Sequence, residues 1–378
     1  MNLHICLDGN FIQQAMSVFE HFFPDENVFI IFNFRERRNY KGDVPVYRYD
    51  LNDSELFDKI KHICSTFAVK NVVTHGFTAN YSRIFQYLRE NNLFSGQVYW
   101  IFWGYELYNA LGETGQYKLV DENSPFLKLS YIAPNPLHAL VRKIIGKHLY
   151  SENLEKVLPY LDYFCFWLPH DFELLHKYYT SHAKFKYFKY ISSYKSEAEK
   201  TNFNISPKNV CRIMVNHQAS LTGNHRTIFQ KLSTISGIDK FEICTPLSYG
   251  SNYIRRSVLR IGKRYFGDKY NALLNLMPLD QYNEFLDSIP VAIFGAMRQE
   301  AAGNIVRLLK SGTKVYLRER NPLYQYYKEK GFIVFSFERE LNEIADLRCL
   351  SEEEQLHNMQ VAENTQVFYE DFMPCFFD

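Results

Sequence analysis

The run NVVTHGFTANYSRIFQYLRENNLFSGQVYWIFWG, Asn71 to Gly104, decides the fold. It opens on the short apolar stretch NVVTHGF and passes into SRIFQYLRENN, where apolar residues recur at three- and four-residue spacing. It leaves through QVYWIFWG, which is almost wholly apolar. The periodicity changes twice, and the order is strand, helix, strand. A strand apolar on both faces belongs in a parallel sheet covered by helices on each side. Working outward, LHICLD with FIQQAMSVFEHFF, then NVFIIFNF, VPVYRYD and SELFDKIKHICSTF, continue the same alternation toward the N-terminus. That alternation marks an open α/β sheet with crossover helices.

The pattern returns further along. VCRIMVN, FEICTPLS, YNALLNLM, PVAIFG and KVYLRE read as strands, separated by the helical runs NHRTIFQKLSTIS, NYIRRSVLRIGKRYF, LDQYNEFLDSI and AAGNIVRLLKSG. Between the halves lie a helical, basic and aromatic region, about residues 134 to 190, and a polar linker, SEAEKTNFNISPKN. The expectation is therefore α/β, two Rossmann-like domains facing across a cleft, the arrangement called GT-B. Residues 1–195 form the first domain and 205–340 the second; 341–378 form a helical tail that packs back on the first.

Composition narrows the partners. The chain has 378 residues, 43 Lys and Arg against 42 Asp and Glu, and a net charge of +1, so no global field attracts nucleic acid. Its 46% hydrophobic and 17% aromatic content supports packed cores, which rules out a disordered chain. Seven cysteines stand singly with no CxxC, which points to a reducing, cytoplasmic setting without a disulfide framework or zinc site. The N-terminus reads as a first strand and not as a secretion signal, and no stretch is long and apolar enough to span a bilayer.

Ligands of open α/β sheets bind at the carboxyl ends of the strands, where helix N-termini present free N–H groups to anions. Two such turns stand out. VNHQASLTGNHR carries Asn216, Ser220, Asn224 and His225, with Asn224 as a helix cap. FGAMRQEAAGNI carries Arg298, Gln299, Gly303 and Asn304, with Arg298 suited to a bidentate phosphate contact. A third strand end, YLRERNP, adds Arg318 and Asn321, and Tyr249 follows another. No GxGxxG or GxxxxGK[ST] is present, so NAD and P-loop readings fall and a nucleoside diphosphate sugar remains. In the first half, Glu106 after WG and His75 at the end of NVVTH are the candidate general bases. The histidines form no metal-spaced cluster, and neither metal nor cofactor is expected.

Together, THGFTAN, YWIFWGYELY, VNHQASLTGNHR, TPLSYG, MPLDQYNEFLDSIPVAIFGAMRQEAAGNI and RERNP resemble the bacterial glycosyltransferase family 56, the 4-alpha-L-fucosyltransferases, over roughly residues 70 to 330. The resemblance implies a GT-B enzyme that moves a deoxyhexose, fucose-type, from a nucleoside diphosphate donor to a saccharide or polyprenyl-linked saccharide in cell-surface glycan synthesis. It implies acceptor binding by the domain 1–195 and nucleotide-sugar binding by the domain 205–340, with donor contacts from Asn216, Ser220, Asn224, His225, Tyr249, Arg298, Gln299, Gly303 and Asn321, and acid–base work by Glu106. A lipid-linked acceptor implies peripheral contact with the cytoplasmic face of the inner membrane. Two stretches suit it: PLHALVRKIIGKHLY and HAKFKYFKYISSYK, where basic residues alternate with apolar ones. The alternatives are a non-hydrolysing sugar-nucleotide epimerase of the same fold and a non-catalytic sugar-binding module.

Overall fold

The computed structural model describes residues 1–9, 11–32, 39–78, 80–121, 149–190, 192–200, 208 and 211–378. The chain divides into two compact units, Met1–Tyr117 with Ile145–Lys200 and Val367–Asp378, and Lys118–Ile144 with Thr201–Gln366. Each is a parallel sheet flanked by helices.

The first unit contains β1 (Asn2–Leu7), α1 (Ile12–Phe22), β2 (Asn27–Phe32), β3 (Val46–Tyr49), α2 (Leu56–Phe67), β4 (Asn71–His75), α3 (Tyr81–Glu90) and β5 (Val98–Ile101). It continues with α4 (Tyr105–Glu113), α5 (Leu149–Val157), β6 (Tyr163–Cys165), α6 (Pro169–Tyr178) and β7 (Lys184–Lys186). The seven strands lie in the order β3, β2, β1, β4, β5, β6, β7, all pairs parallel. Strands β2, β4 and β5 are buried along their whole length. This is the double-sided burial that their unbroken apolar composition requires. The described part of the region around 134–190, expected to be helical, holds α5 and α6 but also adds β6 and β7 to the sheet. Each is three residues long, too short to show a period of two.

The second unit contains β8 (Arg212–Val215), α7 (His225–Ser233), β9 (Glu242–Pro246), α8 (Asn252–Phe266), β10 (Tyr270–Leu273) and α9 (Leu279–Asp287). It continues with β11 (Val291–Ile293), α10 (Ala302–Lys310), β12 (Lys314–Leu317), α11 (Pro322–Glu329), β13 (Phe335–Ser336) and α12 (Glu352–Asn364). The sheet runs β10, β9, β8, β11, β12, β13, again parallel throughout. Its core gathers Ile213, Val215, Ile228, Phe229, Val291 and Ile293, all fully buried. Removing any one from water is worth about 1.5–3 kcal/mol.

The C-terminal stretch does not act as one tail. Helix α12 belongs to the second unit, where Asn358 exchanges hydrogen bonds with the Ile333 backbone. Residues 367–378 complete the first unit instead: Tyr369, Met373 and Phe376 join Phe19, Val73 and Tyr99 in one buried cluster. The strand orders also locate the two ligand crevices. In each sheet the chain reverses its winding direction after the third strand, between β1 and β4 and between β8 and β11, and ligands of such sheets sit at that reversal.

Candidate functional site

In the second unit the crevice between β8 and β11 is tied together by two asparagines. Asn216 (φ 56°) donates from Nδ2 to the Gly223 carbonyl at 2.8 Å and accepts from the Gly295 N–H at 2.9 Å. Asn224 (φ 49°) donates to the carbonyls of Gly295, Thr222 and Leu119 at 2.9, 3.0 and 3.2 Å and accepts from the Asp121 N–H. Both are buried. Asn224 stands at the cap position of α7, as expected, but its side chain does not cap the helix. These amides fix the two turns to one another, so the side-chain contacts to a donor expected of Asn216 and Asn224 are already spent inside the protein. The approach is close enough that a Cβ at position 295 would lie 2.2 Å from the Gly223 oxygen. Only glycine fits there.

Those tied turns open into two helices whose starts carry no side-chain cap. Elsewhere in the unit α8, α11 and α12 begin with side-chain caps from Ser251, Asn321 and Ser351. Helices α7 and α10 have none, and each begins from a residue in the left-handed region, Asn224 and Ala301 (φ 61°). Helix α9, at the sheet edge, is also uncapped, but it starts from Pro278. A left-handed alanine costs about 1–2 kcal/mol. Strain of this kind gathers at ligand sites. The N–H groups of Ala302 and Gly303 find no partner among the described residues, and a Cβ at Gly303 would meet nothing within 4 Å. Orphan donors and the positive end of the helix dipole make such a terminus receptive to an anion.

Charged groups line the same crevice. Glu300 accepts from Thr222 Oγ1 at 2.5 Å and from Arg298 Nε at 2.6 Å. Burial opposes its ionisation, but Arg298, His217 and the Thr222 hydroxyl more than offset that and hold its carboxyl below the usual range. Burial, reinforced by His217, pushes His225 down to about 3, and its Nε2 has no partner among the described residues. Ser220 Oγ accepts from the Gly223 N–H at 3.1 Å, and Gln299 makes no hydrogen bond among the described residues.

Three expected donor-binding residues are engaged elsewhere. Arg318 grips Asp121 with both terminal nitrogens, at 2.9 and 3.2 Å, and turns Nε to Glu338. Asn321 caps α11 and donates to the Ala296 carbonyl, and Asn304 donates to Tyr282. The Tyr249 ring is 62% exposed on the turn after β9, whose carbonyl receives the Ala219 N–H. Ser220, His225, Arg298, Gln299 and Gly303 thus surround the crevice. Sequence reasoning missed Glu300 and Gly295; the carboxylate two positions after Arg298 was the available signal.

The corresponding crevice in the first unit is lined differently. At the end of β1, Asp8 accepts from the Tyr40 hydroxyl at 2.5 Å and from Arg48 at 3.0 Å. His75, at the end of β4, belongs to a buried chain of hydrogen bonds whose direction follows from its ends. The Asn27 amide nitrogen donates to Glu20 and to the Phe23 carbonyl, so Asn27 Oδ1 must accept from His4 Nε2, at 3.2 Å. Burial pushes His4 down to about 3 and His75 well below its ordinary value, so both rings are neutral. His4 Nδ1 then accepts from His75 Nε2 at 3.0 Å, and His75 Nδ1 accepts from the Tyr190 hydroxyl at 2.8 Å. Tyr190 in turn receives the Trp103 indole N–H at 2.6 Å. With both nitrogens committed and no exposed surface, His75 is not placed to take a proton from a ligand as expected.

Glu106, the other expected base, lies in the first turn of α4, is 3% exposed, and accepts from Trp100 Nε1 at 3.3 Å. It packs beneath Gly76, whose absent Cβ would sit 3.0 Å from Glu106 Oε1. The Trp103 indole crosses both crevice glycines, 3.3 Å from a Cβ at Gly9 and 3.4 Å from one at Gly76. Phe11, 41% exposed, meets it edge-on at 6.4 Å. The result is an aromatic platform whose indole N–H is already used. Asp8 and Tyr190 were not foreseen, although a carboxylate directly after the first strand, LHICLD, is visible in the sequence.

Of the two stretches expected to meet lipid, residues 136–148 lie outside the described residues. The second turns aromatics inward, which removes the lipid-facing role foreseen for them: Phe188 is buried with Phe19 and Phe376, and Tyr194 stacks on Phe22. Among the described residues no helix is long and apolar enough to cross a membrane, and no group of three His, Cys, Asp or Glu could hold a metal ion.

Two parallel Rossmann-like units, each with its crevice at the winding reversal, define the GT-B class of fold. Solved structures agree over the whole chain. Sucrose-phosphate synthase from Thermosynechococcus elongatus matches with a TM-score of 0.62 at 10% identity, covering 100% of this chain and 97% of its own. A glycosyltransferase from Rickettsia africae gives 0.59 at 10% identity over 98% and 94%. The trehalose-6-phosphate protein of E. coli bound with UDP-2-fluoro glucose gives 0.57 at 11% over 100% and 98%. At these identities the likeness is one of fold. No protein-family model matches the chain, and no curated protein does.

Proposed function

We propose that the chain is a glycosyltransferase that moves a hexose, of the deoxy fucose type, from a nucleoside diphosphate to a saccharide acceptor, with a polyprenyl-linked saccharide at the inner membrane as the finer reading. The observation that carries it is the pair of uncapped helix starts at the β8/β11 crevice, each springing from a left-handed residue, with Arg298 beside them. A diphosphate supplies an anion at the start of α10, where the Ala302 and Gly303 N–H groups have no partner among the described residues, and its departure with negative charge is what that terminus would stabilise; at α7 the Asp121 carboxylate already bonds Thr227 in the first turn. Similarity in fold to a protein bound with UDP-2-fluoro glucose supports a nucleotide sugar as the ligand. Tyr249, exposed on the neighbouring turn, offers a ring to the nucleobase.

The acceptor falls to the first unit, where Phe11 and Trp103 offer stacking faces and Asp8 a carboxylate. Activation of its hydroxyl belongs to Glu106 or Asp8, the carboxylates this fold brings to the ends of β5 and β1. Calorimetric titration with dTDP, UDP, GDP, CDP and NAD tests the reading: one nucleoside diphosphate binds selectively, and silence with all of them refutes it. Glu106→Gln and Asp8→Asn then identify the base as the variant that keeps nucleotide affinity but loses about 10²–10⁴ in turnover.

A further inference from the structure

Helix α8 and the turn after β10 carry features that the catalytic reading leaves unused. The helix sequence NYIRRSVLRIGKRYF holds five Lys and Arg and no Asp or Glu, in a chain whose net charge is only +1. Ile254, Val258 and Gly262 face the core, and Gly262 packs so closely on Tyr270 that a Cβ there would meet its ring at 2.3 Å. The opposite face presents Tyr253, Arg256, Arg260, Lys263 and Arg264, all exposed. Their spacing of three or four residues puts them on one stripe. None of the four cations has an ion-pair partner among the described residues.

The first turn of the same helix and the turn after β10 carry unusual apolar exposure. Of the eight large apolar side chains exposed among the described residues, four are Tyr253 (62%), Leu274 (44%), Leu276 (82%) and Leu279 (72%). Tyr253 stands in the first turn of α8, after β9, and the leucines follow β10; the two strands are paired at the sheet edge, and the Leu247 N–H bonds the Leu273 carbonyl at 2.8 Å where both end. A core has no use for leucines this exposed, and nucleic acid offers them nothing. Unpaired cations together with protruding leucines match a bilayer of anionic lipid, with headgroups outside and hydrocarbon just beneath.

We infer that the outer face of α8 and the Leu274–Leu279 turn dock this chain on an anionic membrane surface. The cations bind phosphate headgroups while Leu276 and Leu279 enter the acyl boundary. This surface differs from both stretches suggested by the sequence. The inference rests on the lipid-linked acceptor only for its purpose.

Co-sedimentation of the full chain with vesicles tests it, using phosphatidylcholine alone and phosphatidylcholine containing phosphatidylglycerol. Binding to the anionic vesicles only, weakening with salt, is expected. Arg256→Ser with Arg260→Ser should lower partitioning about 30-fold, from about 1 kcal/mol per cation. Leu276→Ser with Leu279→Ser should lower it about tenfold or more without changing the melting temperature, since both side chains stand in solvent. Equal binding to both vesicle types, no binding to either, or wild-type binding by both double variants overturns the inference. So does a dimer, seen by light scattering, that the leucine substitutions dissolve. Nucleotide titration has no bearing on these outcomes, so failure of the donor reading is separately visible.

Discussion

The two crevices share a topology and differ in what fills them. Between β1 and β4 the first unit places side chains: an indole across two glycines, a carboxylate held by tyrosine and arginine, and a histidine wired through a second histidine to an asparagine. Between β8 and β11 the second unit places backbone, with two asparagines withdrawn into tying the turns and two helix starts left without caps. A side-chain crevice recognises shape and hydroxyls, and a backbone crevice recognises charge. One winding rule thus yields two ligand chemistries, according to which groups around the reversal are left free.

The largest expected effect comes from acid, which should break the wire of the first unit. His4 titrates at about 3 when folded against about 6.5 when unfolded. The unfolded chain therefore binds more protons below neutrality, and stability falls as pH drops from about 6.5 toward 3. His225 in the second unit contributes with the same sign. Each is worth about 1.4 kcal/mol per pH unit through that window. All three tryptophans, Trp100, Trp103 and Trp167, lie in the first unit, so thermal melts followed by tryptophan fluorescence read that unit alone. Protonated His4 cannot accept from His75, so the fluorescence-detected melting temperature should fall steeply between pH 7 and 5. A flat profile would mean that the wire is not neutral as drawn.

How much of this the sequence discloses differs between the crevices for physical reasons. Strand and helix periodicity mark both sheets, because buried parallel strands leave unbroken apolar runs such as NVFIIF. It misses β6 and β7, where three residues cannot display a period. In the second unit small residues at strand ends point to Gly303, Ser220 and Arg298, but no local rule says that Asn224 would turn its amide to Gly295, 71 positions away, instead of capping its own helix. Arg318 is misread for the same reason: Asp121, its partner, is 197 positions away. The His4 to Tyr190 wire joins residues from opposite ends of the first unit and leaves no pattern to read.

The next effect, at Gly295, tests whether the second crevice is as tightly tied as the geometry says. Gly295→Ala sets a methyl 2.2 Å from the Gly223 oxygen and 2.9 Å from Ile228 Cδ1. Backbone must move, at a cost of about 1–3 kcal/mol. Because that movement separates the two helix starts, nucleotide affinity should vanish together with the lost stability, while the aromatic platform of the first unit remains intact. Chemical denaturation and nucleotide titration on the same sample measure both. Retained affinity would show that the two turns act independently and that the asparagine ties are scaffolding alone.

The smallest effect on stability is the sharpest test of the charge argument. Gly303 sits in the first turn of α10 with open space around its absent Cβ, so Gly303→Glu introduces no clash. Replacing glycine within a helix gains roughly 0.5–1 kcal/mol, and an acidic side chain near a helix N-terminus adds about 0.3–1 kcal/mol. The variant should melt slightly higher than the parent. If α10 receives a diphosphate, the same carboxylate neutralises the dipole and repels the ligand, so nucleotide affinity should fall about tenfold or more although the fold is firmer. Stability and binding then move in opposite directions, which no general loosening of the second unit can imitate. A variant that gains stability and binds nucleotide as before would leave α10 an ordinary uncapped helix and shift the anion to α7, whose start at Asn224 is the other candidate.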